Sequence, residues 1–293
     1  MKRFLLLFLL LPVTAMGQQG LIVNELLFNP VPGGADWVEL YNNSDSPANL
    51  ADVRLVRWVG DSLGRFYTLD SAVVAPHDYV VLTTDAAAVA ANHRVQWPSK
   101  VLQVAAMPAY NDASGTVIVA LADSTIIDRL DYTAAMHSPL LRDPEGVSLE
   151  RRSPNRPTQE ASNWFSASST SGYGTPGYVN SQSTEFLFVE NSFTLEPEIF
   201  SPDGDGYNDQ LDITYQLDAA DLAANITIYD AVGRRVRLLA RGALLGSHGV
   251  LTWNGLDDKG LRCRPGNYVV IVEAYNTEGR TQVLRRVVAL ALN

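Results

Sequence analysis

From Leu21 onward every apolar run in the chain is short, and that restricts it to β architecture more than any other feature does. The runs are LIVNELLF, DWVELYN, VRLVRWV and YVVLT, followed by GTVIVAL and TIIDRLDY. They are rich in β-branched and aromatic residues, which suit a pleated, half-buried surface. Turn signals separate them: NPVPGG, NSDSP, VGDSLG, APHD and NDASG. Only Ala86 to Ala91 has helical character. Many short strands between turns predict a β-sandwich with one face of each strand turned inward.

Residues 151 to 183 change in composition. RRSPNRPTQEASNWFSASSTSGYGTPGYVNSQS is rich in Ser, Pro, Thr and Gly. Trp164 and Phe165 are expected to pack it back on the first sandwich, and the stretch after Ser166 reads as a linker. Strand patterning resumes near Thr184 with LDITYQL, NITIYDAVG, RRVRLLA, GVLTWNG, GNYVVIVEAYN and QVLRRVVALAL. The period-two alternation of ANITIYD and NYVVIVEAYN is that of half-buried strands. The fold class is therefore all-β, with two Ig-like β-sandwich domains in tandem after a signal peptide. The divisions are 1–17 for the signal, 18–181 and 193–293 for the sandwiches, and 182–192 for a linker and strand lead-in.

The signal is MKRFLLLFLLLPVTAMGQQG. Lys2 and Arg3 begin it, Phe4 to Leu11 is its apolar core, and Ala15 and Gly17 are the small residues that cleavage needs. The apolar run is too short to span a bilayer, no later segment reads as transmembrane, and no cysteine follows for a lipid anchor. The expected address is the cell surface or extracellular space. The formal charge is −10. That argues against nucleic acid, which requires clustered Lys and Arg, and against an anionic membrane surface. The single cysteine, Cys263, excludes an internal disulfide. Its neighbours Arg262 and Arg264 could lower its pKa, but no His or Asn lies nearby in sequence to make it a catalytic thiol, and it reads as an ordinary strand-end cysteine.

Two resemblances refine this. IVNELLFNP, DWVELYNNSDSPANLADVRL, VSLERRSP, NWFSAS and GTPGYVNS, in that order, resemble the bacterial lamin-tail domain over about residues 20 to 181. That domain is an immunoglobulin-like sandwich. FSPDGDGYNDQLDITY, ITIYDAVGRRVRLL, LTWNGLDDKG and RPGNYVVIVEAYNTEGR resemble the C-terminal Ig-like module of the flagellar hook-capping (FlgD-type) family over about 193 to 293. The combination implies an exported Bacteroidota-like surface or extracellular protein without assigned chemistry. Its partners would be a surface protein or glycan. Some related C-terminal modules act as sorting signals for type IX secretion, which implies outer-membrane secretion machinery as a further partner. The module is reused widely, so no motility role follows.

Four features bear on chemistry. Ser201 to Asp209, SPDGDGYND, holds three acids alternating with two glycines. Asp203, Asp205 and Asp209 offer carboxylates and Tyr207 a carbonyl, which suits a structural calcium ion. The bidentate Glu that closes an EF-hand is replaced by Thr214, so the loop is not one. The competing reading is a turn whose aspartates cap backbone N–H groups. Gly60-Asp61-Ser62-Leu63-Gly64 matches hydrolase signatures by letters, but RFYTL follows where an elbow needs a helix. Ser62 then sits on a hairpin, and His77, His93, His137 and His248 lie in unrelated turns. Glu25 and Glu39 fall on adjacent strands, as an acid–base pair for glycoside cleavage would, or as hydrogen-bonding groups at the end of the sandwich. Trp58, Trp97, Trp164, Trp253, Tyr173 and Tyr178 are candidate sugar platforms or core residues. The sum predicts a non-catalytic binding or scaffold protein, with a secreted ester or glycoside hydrolase using Ser62 or Glu25/Glu39 as the alternative.

Overall fold

The computed structural model describes residues 20–184, 192–218 and 221–291. The signal peptide, and most of the 182–192 lead-in, lie outside the described residues. The chain is all-β, built as sandwiches.

In the first half a six-stranded sheet runs Trp164–Ser166, Leu149–Arg151, Leu21–Leu27, Trp37–Asn42, Tyr79–Thr83, Val101–Gln103. A four-stranded sheet faces it, in the order Ile126–Thr133, Ser114–Leu121, Val53–Val59, Ser62–Thr68. The sole parallel pair in these two sheets, Tyr79–Thr83 with Val101–Gln103, is joined by the helix Ala86–Asn92. A parallel connection needs such a crossover. The Asp85 carboxylate caps that helix by accepting the Ala88 N–H at 3.0 Å. Val23, Leu26, Val38 and Leu40 share one core with Leu55, Val117, Val119 and Leu130 of the facing sheet, and Trp164 closes the layer.

One irregularity decides what the outer face of the larger sheet carries. Val23 pairs with Leu40, yet Glu25 pairs with Glu39, so Asn24 is an extra residue on its strand. In a regular strand Val23 and Glu25 would share a face. The bulge sends Glu25 to the outer face while Val23 and Leu26 both stay in the core.

In the second half Ser192–Glu196, Leu211–Gln216 and His248–Trp253 form one sheet. It packs on Ile199–Phe200, Thr281–Leu290, Gly266–Asn276, Leu222–Asp230 and Arg235–Leu245. Phe200, Ile213, Ile226, Val270 and Trp253 fill the space between. The Ile199–Phe200 strand is two residues long, too short to show in a sequence pattern.

The linker reading of the stretch after Ser166 is corrected. Ala167, Ser168, Thr175, Asn180 and Gln182 are buried. The polar groups that give the stretch its linker-like composition are satisfied internally, by the outer face of the first sandwich and by the second sandwich. Ser181 O accepts the Ser247 N–H at 2.8 Å, and Leu244 O accepts the Ser169 N–H at 2.9 Å. The Thr170 and Tyr215 hydroxyls are 2.7 Å apart. The segment is a polar mortar between the halves.

Candidate functional site

Three glutamates lie side by side on the outer face of the six-stranded sheet. Glu25 is the cross-strand partner of both Glu39 and Glu150, and all three are fully buried. Residues 175–182 close over them. Glu25 Oε1 accepts the Thr175 N–H at 2.9 Å and the Ser148 hydroxyl at 2.5 Å. Glu39 accepts Asn24 Nδ2 at 2.8 Å and the Gly177 N–H at 2.6 Å. Glu150 Oε2 accepts the Ser181 hydroxyl at 2.8 Å and the Gln182 N–H at 2.9 Å. Asn180 Nδ2 donates to the Arg151 carbonyl at 2.8 Å, which ties the cover to the sheet.

The proton count at the centre is informative. Thr175 Oγ1 is 2.9 Å from Glu25 Oε2 and 2.9 Å from Glu150 Oε1. A hydroxyl has one proton to donate. Both contacts are bonds only if one of the two carboxyls is protonated and donates to Oγ1. Burial points the same way, because it disfavours the charged form. Desolvation, then the charges of Glu150 and Glu39, holds the Glu25 pKa well above the ordinary carboxylate value. Desolvation raises Glu39 to about 8 and Glu150 to about 6. Lys100 offsets a part of the rise at Glu39.

This arrangement bears on the Glu25/Glu39 pair. The two are adjacent, but their oxygens face donors from the chain itself. Glu150 completes the cluster and escaped the sequence reading. Glu150 sits in the short strand Leu149–Arg151 next to two arginines, where an acid reads as an ordinary exposed ion-pair partner.

Ser62 opens the strand Ser62–Thr68 and pairs with Val59 across a hairpin whose Gly60 has φ +59°. Its hydroxyl donates to the Val59 carbonyl at 3.2 Å. His93 and His137 are buried elsewhere, against Trp37 and Phe28.

In the 201–209 loop the carboxylates of Asp203, Asp205 and Asp209 converge, with one oxygen from each within 4.8 Å of the others. That spacing fits oxygens around one calcium ion, whose bonds are about 2.3–2.6 Å long. The same groups organise the loop. Asp209 accepts the Gly204 N–H at 2.6 Å and the Gly206 N–H at 2.8 Å, and Asp205 accepts the Tyr207 N–H at 2.7 Å. Gly204 and Gly206, at φ +86° and +88°, allow the chain to turn twice inside the span. Calcium and capping are thus compatible uses of one donor set.

Among the aromatic candidates, Trp164 and Trp253 are interior residues, which corrects their standing as sugar platforms. Trp58 is covered by the Arg129 guanidinium, 4.3 Å from its ring centroid. Trp97 is 55% exposed. At Cys263 burial, then the charge of Asp257, raises the pKa, so the thiol is not activated by its flanking arginines.

No helix among the described residues is long and apolar enough to cross a membrane. The sequence profile of the Lamin Tail Domain family matches residues 14–134. The elements of that resemblance beyond 134 join the same sheet, since Leu149–Arg151 pairs with Leu21–Leu27 and Trp164–Ser166 with Leu149–Arg151. No curated protein matches the chain. Among solved structures, FlgD from P. aeruginosa is 21% identical over 28% of this chain and 62% of its own, with a TM-score of 0.24. Dimeric latent PorU from Porphyromonas gingivalis is 13% identical over 93% of this chain and 20% of its own, with a TM-score of 0.27. PorZ, a surface component of the type-IX secretion system of the same organism, is 12% identical over 92% and 38%, with a TM-score of 0.25. The chain spans less than two thirds of each of these, and superpositions so loose do not bear on function.

Proposed function

We propose that the chain is an exported, non-catalytic binding or scaffold protein of the cell surface or extracellular space, with the second sandwich serving export or anchoring. The observation that carries this is the engagement of the acids best suited to catalysis. Glu25, Glu39 and Glu150 hold a buried cover in place, and reacting groups must instead reach a substrate. The partner is a surface protein or glycan. The test is turnover on a broad ester and glycoside panel, where no rate above background is expected. Turnover abolished in Ser62→Ala would establish the hydrolase reading instead. For the second sandwich, residues 184–293 fused behind a secreted reporter should place it at the cell surface or in the medium. A reporter that stays in the periplasm would remove the export and anchoring role.

Calcium at Asp203, Asp205, Asp209 and the Tyr207 carbonyl would stiffen the entry to the second sandwich. An ion present at a hundred times its Kd stabilises the folded state by about 2.7 kcal/mol. Added calcium should therefore raise the unfolding midpoint, chelator should reverse it, and Asp203→Ala should abolish the response. An unchanged midpoint would leave the carboxylates as loop caps alone.

A further inference from the structure

A cleft of about 420 Å³ opens where the two halves meet. One wall is the cover segment, with Ser168, Thr170, Ser171 and Tyr178. Arg94 and Gln96, just beyond the Ala86–Asn92 helix, form the rim, and His248, Gly249 and Val250 of the His248–Trp253 strand form the opposite wall. That volume falls in the range of about 300–1,000 Å³ occupied by small-ligand sites, which favour junctions between domains.

The lining has a particular chemistry. The hydroxyls of Ser168, Thr170 and Ser171 stand in contact, with Ser168 Oγ 3.0 Å from Thr170 Oγ1 and 3.2 Å from Ser171 Oγ. Ser168 is fully buried and accepts the Ser171 N–H at 3.1 Å, so it holds the other two in place. Thr170 and Ser171 are half-buried, and each of their hydroxyls is both donor and acceptor toward the hydroxyls of a ligand. The half-buried Tyr178 adds a ring wall with a polar tip, suited to the apolar face of a sugar. Arg94 is exposed, and no carboxylate among the described residues pairs with it. Its planar fork matches a carboxylate bidentately. Arg94 is the side chain of the lining that carries a fixed positive charge. One cation among several hydroxyls suits one carboxylate among several hydroxyls. A phosphate would call for more charge or a nest of backbone N–H groups.

The geometry points to a binding site for a carboxylate-bearing saccharide, held by Arg94 at the carboxylate and by the Thr170 and Ser171 hydroxyls at the ring. The inference rests on the reading of the chain as a binding protein and names its ligand class. Calorimetric titration of the full chain with an oligogalacturonate, its neutral oligogalactose counterpart and an oligoglutamate peptide tests it. The uronate should bind at least about tenfold more tightly than the neutral sugar, since a charged hydrogen-bonded pair contributes that much. Arg94→Ala should erase the difference. Val250→Trp, placed at a position 47% exposed on the opposite wall, should block binding of both sugars. An unchanged unfolding midpoint shows that both variants fold. Equal binding of the two sugars, no uronate binding, an Arg94→Ala variant that binds as wild type, or tighter Arg94-dependent binding of the peptide would each overturn the inference. Capture of other ligands from a glycan and surface-protein array, undiminished by Arg94→Ala, would leave the broader reading standing. An array with no ligand at all would remove that reading too.

Discussion

Glu150→Gln is expected to make the protein more stable than wild type at pH 8, by about 1–3 kcal/mol. The expectation follows from the proton between Glu25 and Glu150. A carboxyl whose folded pKa exceeds its unfolded value favours the folded state while it stays protonated. The contribution is complete below the ordinary value of 4.5 and is lost as pH rises through the folded values, about 6 for Glu150 and about 8 for Glu39. Wild-type stability should fall on that account from about pH 5 to about pH 9. In Glu150→Gln the side-chain NH2 can take the place of Oε1 and donate to Thr175 Oγ1, leaving the Thr175 hydroxyl to donate to Glu25. The amide oxygen can keep the Ser181 and Gln182 donors. The proton is then supplied covalently and does not titrate. Glu39→Gln behaves in the opposite way. Both partners of Glu39 are donors, so an amide NH2 would face an N–H group as a protonated carboxyl does, and the variant should lose about 1–3 kcal/mol against wild type above about pH 8, where Glu39 is ionised. Urea midpoints measured across the pH range decide the matter. A Glu150→Gln profile parallel to wild type would mean that no proton is shared.

The second large effect is expected at Gly246. A Cβ there would overlap the carbonyl carbon and oxygen of Ser181, which are backbone and cannot swing aside. Gly246→Ala must therefore push the second sandwich away from the cover segment. The adjoining bonds go with it, because Ser247 donates to Ser181 O through its N–H at 2.8 Å and through its hydroxyl at 3.0 Å. Overpacking costs about 1–3 kcal/mol and each buried bond lost about 1 kcal/mol. The total, about 3–5 kcal/mol, is a large share of the roughly 5–15 kcal/mol by which a folded domain is stable. Calorimetry should show the wild type unfolding in a single transition and Gly246→Ala in two. A single transition at the wild-type midpoint in the variant would show that the contact is dispensable.

The strands were legible wherever alternation or a dense apolar run carried them, as in DWVELYN and GNYVVIVEAYN. Glu25 and Glu39 could be placed on neighbouring strands for the same reason. The glutamate cluster as a whole was not legible, on two physical grounds. The bulge at Asn24 reverses the face on which Glu25 lies, and no local residue pattern announces a single inserted position. The groups that satisfy the acids come from Thr175 to Gln182, some 150 residues from Glu25. Hydroxyl and amide side chains look alike whether they meet water or buried carboxylates, so composition alone made that segment a linker. The acidic loop was easier, because its donors and acceptors lie within nine consecutive residues.

The short Ile199–Phe200 strand lies parallel to the end of Thr281–Leu290, with Ala289 donating to Glu198 O at 2.8 Å and Ala291 to Phe200 O at 2.9 Å. The first strand leads back toward the first sandwich and the second leads out toward the end of the chain. A pull applied to the segment before Ile199 and to the segment after Leu290 drags these two strands past each other lengthwise. Both bonds then bear the load together in shear, and they cannot be peeled one at a time. The patch is a small mechanical clamp, loaded in series with the paired strand Ser192–Glu196 that precedes it.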